Sequence, residues 1–274
     1  MLAVSLLGGF QISVDGDKQP VSEVGSATRH LIGFLCVSPG KAHRREYLAE
    51  MFWPDVVPNR ARAALNTALW RLRKLLLKAP VGSGVSSLVT AGDMVVLAPS
   101  PYLWIDVPCF VDDAKAALSV PQGGLVGAQL RSAEAVVKTY EGPFLDGEDG
   151  DWILAERERL HTLFARVGTL LIHSYGQMRC YEDGIALARR ILALDPYREG
   201  TLRDLLALLV LNGQRAEALR YFERWGRLLQ KDLGIEPLPL TTKLADEIRS
   251  GAFFMNFKVE HELDFGASWK DQAA

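Results

Sequence analysis

Apolar and polar positions separate most cleanly between Arg60 and Lys78. At about 100° per residue, Ala61, Leu65, Ala68, Leu69, Leu72 and Leu76 share one face. Arg60, Ala63, Thr67, Trp70, Arg71 and Lys74 share the opposite one, and Arg62, Asn66 and Arg73 lie along one flank. The spacing predicts a helix with a core-seeking face and a cationic, hydrogen-bonding face. Two readings stay open from this segment alone. One is a helix suited to the DNA major groove, where Arg, Asn and Thr reach base edges and cations neutralise phosphates. The other is a solvated basic helix.

The same periodicities order the rest of the N-terminal half. Leu6 to Val14, followed by Asp15-Gly16-Asp17, predicts a strand turning into a second short strand. Ala27 to Val37 has helical spacing (Leu31, Ile32, Leu35) and stops at Pro39-Gly40. Arg44 to Trp53 predicts a second helix with Leu48, Met51 and Phe52 inward; Trp53 is expected in the core and Trp70 on the polar face. Pro54 to Pro58 is a connector, with Pro58 where a third helix begins. Gly82 to Gly84 break that helix, Ser87 to Leu97 reads as a hairpin turning at Gly92-Asp93, and Leu103 to Val107 as a last strand. Strands, three helices and a hairpin in this order predict an α+β winged helix-turn-helix.

Particular residues carry a family resemblance. Leu48-x-x-x-Phe52-Trp53-Pro54-Asp55, then Ala61-Arg62, Leu69-x-Arg71-Leu72-Arg73 and Ile105-Asp106-Val107-x-x-Phe110 are similar to the OmpR-like DNA-binding domain of the Streptomyces antibiotic regulatory protein family. The resemblance implies that the third helix is the recognition helix and the hairpin is the wing. His43-Arg44 departs from the family, standing where a small capping residue is usual.

From about Phe110 the pattern is almost wholly helical. Tyr140-Glu-Gly-Pro-Phe-Leu-Asp-Gly, Asp151-Trp152, Leu194-Asp195-Pro196-Tyr197-Arg198-Glu199, Gly213-x-x-x-Glu217-Ala218-Leu219 and Leu233-Gly234-Ile235-x-Pro237 resemble the bacterial transcriptional activator domain, built of tetratricopeptide-like hairpins. Independently of the family, Ile185, Ala188 and Ile191 fall onto Leu219, Phe222 and Trp225 when the chain is shifted by 34 residues, the length of that repeat. Repeat helices of this kind offer a binding surface and carry no chemistry by themselves. The expected organisation is therefore a winged helix over 1–108, an all-α tetratricopeptide-like domain over 109–250, and a tail over 251–274. Strict alternation of Met255, Phe257, Val259, Leu263 and Phe265 with polar residues predicts a strand at 255–265 that needs a sheet edge, the alternative being a disordered tail.

Composition is ordinary for a soluble globular protein, with 49% hydrophobic and 23% charged residues and a net charge of −2. Its distribution is uneven. From Lys41 to Lys78 nine bases face three acids, a balance of +6, whereas Cys109 to Leu160 carries ten acids and five bases. A basic module followed by an acidic one fits a DNA-facing part and a part that faces elsewhere. Three dispersed cysteines argue for thiols in a reducing compartment, and the apolar start lacks the basic leader of a signal peptide. No apolar run is long enough to span a membrane.

For DNA, Arg60, Arg62, Ala63, Asn66 and Thr67 are expected nearest the bases, because the N-terminal half of a recognition helix reaches deepest. Trp70, Arg71 and Lys74 are placed for phosphates and sugars, and Arg45, near the start of the second helix, for a phosphate at a helix dipole. Asp55, Val56 and Val57 lie where the resemblance implies an RNA polymerase contact. Asp146, Glu148, Asp149 and Asp151 read as a solvated loop sooner than a cation site, and His161 and His173 as core or surface residues. Arg189, Arg190, Arg198 and Arg203 could bind a small anionic effector but read more simply as exposed repeat positions. No nucleophile elbow, Walker loop or metal motif is present, so no enzyme activity, cofactor or metal is expected. The function expected is a cytoplasmic, sequence-specific transcriptional regulator, an activator that binds direct repeats of double-stranded DNA, pairs protomers there and recruits RNA polymerase. The alternative is a tetratricopeptide-like protein-interaction or small-ligand-sensing module whose winged helix holds protein.

Overall fold

The computed structural model describes residues 1–19, 24–77, 87–119 and 125–253. In chain order the first elements are β1 (Leu2–Ser5), β2 (Gln11–Val14), β3 (Asp17–Lys18), α1 (Ser26–Val37), β4 (Ala42–Arg44), α2 (Arg45–Phe52), α3 (Pro58–Leu76), β5 (Leu88–Ala91), β6 (Met94–Leu97) and β7 (Leu103–Ile105). There follow α4 (Asp106–Leu118), α5 (Ala128–Thr139), α6 (Asp151–Gln177), α7 (Tyr181–Leu194), α8 (Glu199–Leu211), α9 (Arg215–Leu233) and α10 (Pro239–Ser250). The architecture is the expected winged helix-turn-helix followed by helical hairpins. The chain divides into two compact units, Met1–Lys115 with Ala135–Phe164, and Ala116–Glu134 with the described residues from Ala165 on.

In the first unit a four-stranded sheet runs β3-β2-β1-β7. β1 pairs antiparallel with β2 and parallel with β7, with Leu2 opposite Val14 and Leu103. The first strand lies at Leu2–Ser5, not from Leu6 as the pattern suggested. Gly8 and Gly9 explain the difference: φ of +99° and +115° turn the chain out of extended geometry. The turned segment still pairs, since Leu7 bridges Phe144 and the Leu145 N–H donates to the Leu6 carbonyl at 2.8 Å.

Asp106 anchors the same corner. Its buried carboxylate accepts the amides of Leu6 (2.6 Å), Leu7 (2.8 Å) and Val107 (2.7 Å). Burial pushes its pKa up to about 6 despite those three hydrogen bonds, which act the other way.

A second sheet runs β4-β6-β5. Its hairpin turns at Gly92-Asp93 as expected, with Ala91 opposite Met94. The short strand β4, which the sequence pattern did not predict, pairs with β6 through Ala42↔Val96, His43↔Val95 and Arg44↔Met94. Under these strands Leu31, Ile32 and Leu35 of α1, Leu48 and Phe52 of α2, and Leu65, Leu69 and Leu72 of α3 are buried.

In the second unit α7 packs on α8, α8 on α9, and α10 against both α8 and α9. Small residues admit large ones between the helices. A Cβ on Gly184 of α7 would stand 2.7 Å from Leu208 Cδ1 of α8, so glycine lets the two helices close. Of the positions related by 34 residues, Ile185, Ala188, Ile191 and Trp225 are buried while Leu219 and Phe222 are half-buried. Trp225 Nε1 donates to the Pro196 carbonyl at 2.6 Å. Glu199 accepts the Leu238 amide at 2.8 Å, tying the start of α8 to the start of α10. The strand expected at 255–265, Lys78 and the glycines at 82–84 lie outside the described residues.

Candidate nucleic-acid interface

Pro58 opens α3 with φ already suited to a helix and no amide to orphan. The helix then buries Ala61, Leu65, Ala68, Leu69 and Leu72, the face the periodicity assigned to the core. Burial of that face fixes the rotation of α3 and turns Arg60, Arg62, Ala63, Asn66, Thr67, Trp70, Arg71 and Lys74 outward; all eight are exposed, and Arg45 is half-buried. Trp70 is 58% exposed, an unusual position for an indole unless it faces a partner.

Neighbouring elements steer several of these side chains and the half-buried Arg73 beside them. The Arg45 guanidinium donates to the Asn66 side-chain oxygen, which joins the start of α2 to the middle of α3. Arg62 pairs with Glu46 of α2 at 2.9 Å. Arg73 donates to the Thr90 hydroxyl on the wing strand β5 at 2.8 Å. Lys74 Nζ lies 5.4 Å from the centre of the Trp70 ring. Thr67 Oγ1 donates to the Ala63 carbonyl at 3.0 Å, and the residue is exposed. Arg60 and Arg71 form no ion pair among the described residues. Both members of the Arg62–Glu46 pair are more than half exposed, so that bond is worth about 0–1 kcal/mol and can exchange for a phosphate or base.

The unusual His43-Arg44 entry to α2 has a structural answer. No side chain caps this helix; the Arg45 amide donates instead to the Asp93 carbonyl of the wing turn at 2.9 Å. His43 is buried with its ring centre 4.9 Å from that of Phe34, and burial together with Lys41 lowers its pKa. Wing, strand and helix entry are thus one hydrogen-bonded corner. Trp53, expected in the core, is half-buried with its ring against Phe52 at 6.3 Å. Asp55, Val56 and Val57 of the connector are exposed, Val57 at 62%.

Residues far along the chain hold this scaffold, and no local pattern marks them. The loop read as solvated places Glu148 against α1: its carboxylate takes Arg29 Nε at 2.6 Å, the Ser26 hydroxyl at 2.7 Å and His30 Nε2 at 2.8 Å. Burial alone would raise the Glu148 pKa, but these hydrogen bonds and the Arg29 charge outweigh it and hold the carboxyl below its ordinary range. Trp152 sits edge-on to Phe34 (5.4 Å), Phe144 (5.8 Å) and Phe52 (6.1 Å). Arg157 donates to the carbonyls of Phe144, Leu145 and Glu148, each at 3.0 Å, and so shapes the loop that carries Glu148. Asp146, Asp149 and Asp151 remain exposed, and among the described residues no group of three potential ligands could hold a metal.

The repeat arginines are engaged inside the fold. Arg189 pairs with Glu217 at 2.5 Å and Arg198 with Asp195 at 3.7 Å. Arg203 donates to Thr241 at 2.9 Å, and Arg190 also has a partner. Only Arg189 of the four is exposed and the other three are half-buried, against the expectation of open surface positions. His173 lies 3.3 Å from buried Asp204. Cys36 is buried, Cys109 half-buried and Cys180 exposed.

Residues 105–249 match the family described as the bacterial transcriptional activator domain. The chain is 23% identical over 252 residues to the transcriptional regulatory protein MoaR1 of Mycobacterium tuberculosis, covering 89% of this chain and 78% of that protein. It is 25% identical to the transcriptional regulatory protein EmbR of the same organism, covering 90% of this chain and 63% of EmbR. With the regulatory protein AfsR of Streptomyces coelicolor it shares 26% identity over 221 residues, 80% of this chain and 22% of AfsR. The solved structure of M. tuberculosis EmbR in complex with a low-affinity phosphopeptide superposes with a TM-score of 0.71 at 24% identity, covering 91% of this chain and 65% of that one.

Proposed function

This chain belongs to the bacterial transcriptional activator domain family, the helical module of Streptomyces antibiotic regulatory proteins, and from that premise we propose that it activates transcription by reading DNA through α3. It is a DNA-binding transcriptional regulator. The observation that carries the α3 assignment is the exposed face from Arg60 to Lys74, opposite a fully buried one and braced by α2 and the wing. Arg60, Arg62, Ala63, Asn66 and Thr67 meet base edges. Guanidinium groups suit guanine, the Asn66 amide suits adenine, and the Ala63 and Thr67 methyls suit thymine. Trp70, Arg71 and Lys74 hold phosphate and sugar, and Arg45 adds a phosphate contact at the start of α2. Recognition lies within residues 1–108.

Residues 109–250 pair protomers on directly repeated sites and, with exposed Asp55, Val56 and Val57, meet RNA polymerase. No catalysis, cofactor or metal enters this scheme. The protein acts in the cytoplasm; among the described residues no helix is long and apolar enough to cross a membrane. Of the arginines that could meet a small anionic effector, Arg189 pairs with Glu217, Arg198 with Asp195 and Arg203 donates to Thr241, so an anion there would compete with these partners. A gel shift with DNA from upstream of its own coding sequence tests the reading. Binding that weakens with salt and with Arg60→Ala and Thr67→Ala supports it; binding indifferent to all three contradicts it.

A further inference from the structure

Helix α9 carries a second row of cations that nothing above uses. Arg220, Arg224, Arg227 and Lys231 follow one another at spacings of four, three and four residues and are all exposed. At about 100° per residue they fall within about 60° of arc, and at about 1.5 Å per residue the row is about 16 Å long. Neighbouring like charges on a helix repel, so such a row does not arise to stabilise the helix itself.

Other cations from α7 to α10 behave differently. Arg189, Lys243, Arg249, Arg203 and Arg198, which caps α8, each pair with a carboxylate, Arg190 also has a partner, and Arg215 meets the end of α10 through the carbonyls of Ile248 and Arg249. The four of the row form no ion pair among the described residues. Arg224 lies over the Tyr221 ring at 4.9 Å, and Arg227 Nε reaches only the Glu223 carbonyl at 3.3 Å. Two other carboxylates of α9 are engaged elsewhere: Glu217 binds Arg189, and Asp232 accepts from the Tyr197 hydroxyl. Glu223 stands beside the row and pairs with none of it.

We propose that Arg220, Arg224, Arg227 and Lys231 form a second, sequence-independent DNA contact that binds the phosphodiester backbone. The proposal rests on the DNA-binding reading above, which supplies a polyanion for the row to meet. Duplex DNA carries a phosphate about every 3.4 Å of axis on each strand, so about 16 Å of row faces several phosphates. A phosphate contact through charge alone needs no base-reading geometry, which suits a row without Asn, Gln or Thr.

The test uses the full chain and a random-sequence 60-base-pair duplex, with affinity followed by fluorescence anisotropy from 50 to 200 mM KCl. Three proteins are compared with the wild type. One carries Arg220→Gln, Arg224→Gln, Arg227→Gln and Lys231→Gln; one carries Arg→Lys at 220, 224 and 227; one carries Arg60→Ala, Arg71→Ala and Lys74→Ala. For every cation neutralised, the affinity drop over this fourfold rise in salt should shrink by about 3.5-fold, on the order of 10²-fold for all four. The lysine protein should behave as the wild type, because charge and not fork geometry makes the contact. A glutamine protein with unchanged salt dependence overturns the proposal and leaves the row to an acidic protein. If it changes while the α3 variant does not, the row stands and the α3 reading fails. If the lysine protein loses as much as the glutamine one, the contact is not made by charge and the proposal also fails.

Discussion

Replacing Glu148 by Gln separates a strong internal bond from an incidental one. The wild-type carboxylate is 12% exposed and receives Arg29 on Oε1, with Ser26 and His30 on Oε2. Glutamine keeps one acceptor oxygen and turns the other into a donor, so at least one side of this cluster meets donor against donor. Charge-assisted hydrogen bonds are worth about 1.5–3 kcal/mol each, and partial exposure discounts that, giving a loss of about 2 kcal/mol. For a chain of this size the melting temperature should fall by about 4–8 °C.

The pH dependence gives a second readout with a fixed sign. The folded Glu148 pKa lies below its ordinary value of 4.5, so the stability it supplies is fully present above pH 4.5 and is lost as pH falls through the lower folded value. The deficit of the Gln protein relative to wild type should therefore be full at pH 7 and shrink below pH 4.5. Calorimetric and urea unfolding at a series of pH values measure both. A loss under about 0.5 kcal/mol, typical of an exposed pair, or a deficit that persists unchanged at low pH, refutes the reasoning.

Two other substitutions probe the scaffold. Asp106 works in the opposite direction, since its folded pKa of about 6 exceeds the ordinary 3.8; its contribution should decline by about 1 kcal/mol from pH 5 to 7, read in urea titrations as a fall of that size in the stability of wild type relative to Asp106→Asn. Gly184→Val, which must displace Leu208, should cost about 1–3 kcal/mol in urea unfolding, and Gly184→Ala much less, because only the flexible end of Leu208 then has to move.

What the sequence displayed, and what it hid, follows the reach of each interaction. The register of α3 was legible because its five buried residues recur at helical spacing. The wing turn was legible because Gly92-Asp93 is local turn chemistry, and the repeat was legible because it copies itself. The strand β4 was not, since three residues with only His43 inward show no alternation. The part played by Glu148 was invisible, because Ser26, Arg29 and His30 lie more than a hundred positions earlier and a carboxylate in an acidic loop looks solvated. Exposure of the residues proposed to meet DNA could be anticipated from their angle on the helix. The hydrogen bonds of Arg62 to Glu46, of Asn66 to Arg45 and of neighbouring Arg73 to Thr90 could not, because those depend on how α2 and the wing pack on α3.

Base reading by the N-terminal half of α3 is tested most directly by the ratio of affinities for a footprinted upstream site and for a scrambled duplex, measured with Asn66→Ala beside the wild type. A base contact of about 1–3 kcal/mol predicts a ratio reduced about 5- to 150-fold, with affinity for the scrambled duplex nearly unchanged. An unaltered ratio, or an equal loss on both duplexes, contradicts the claim.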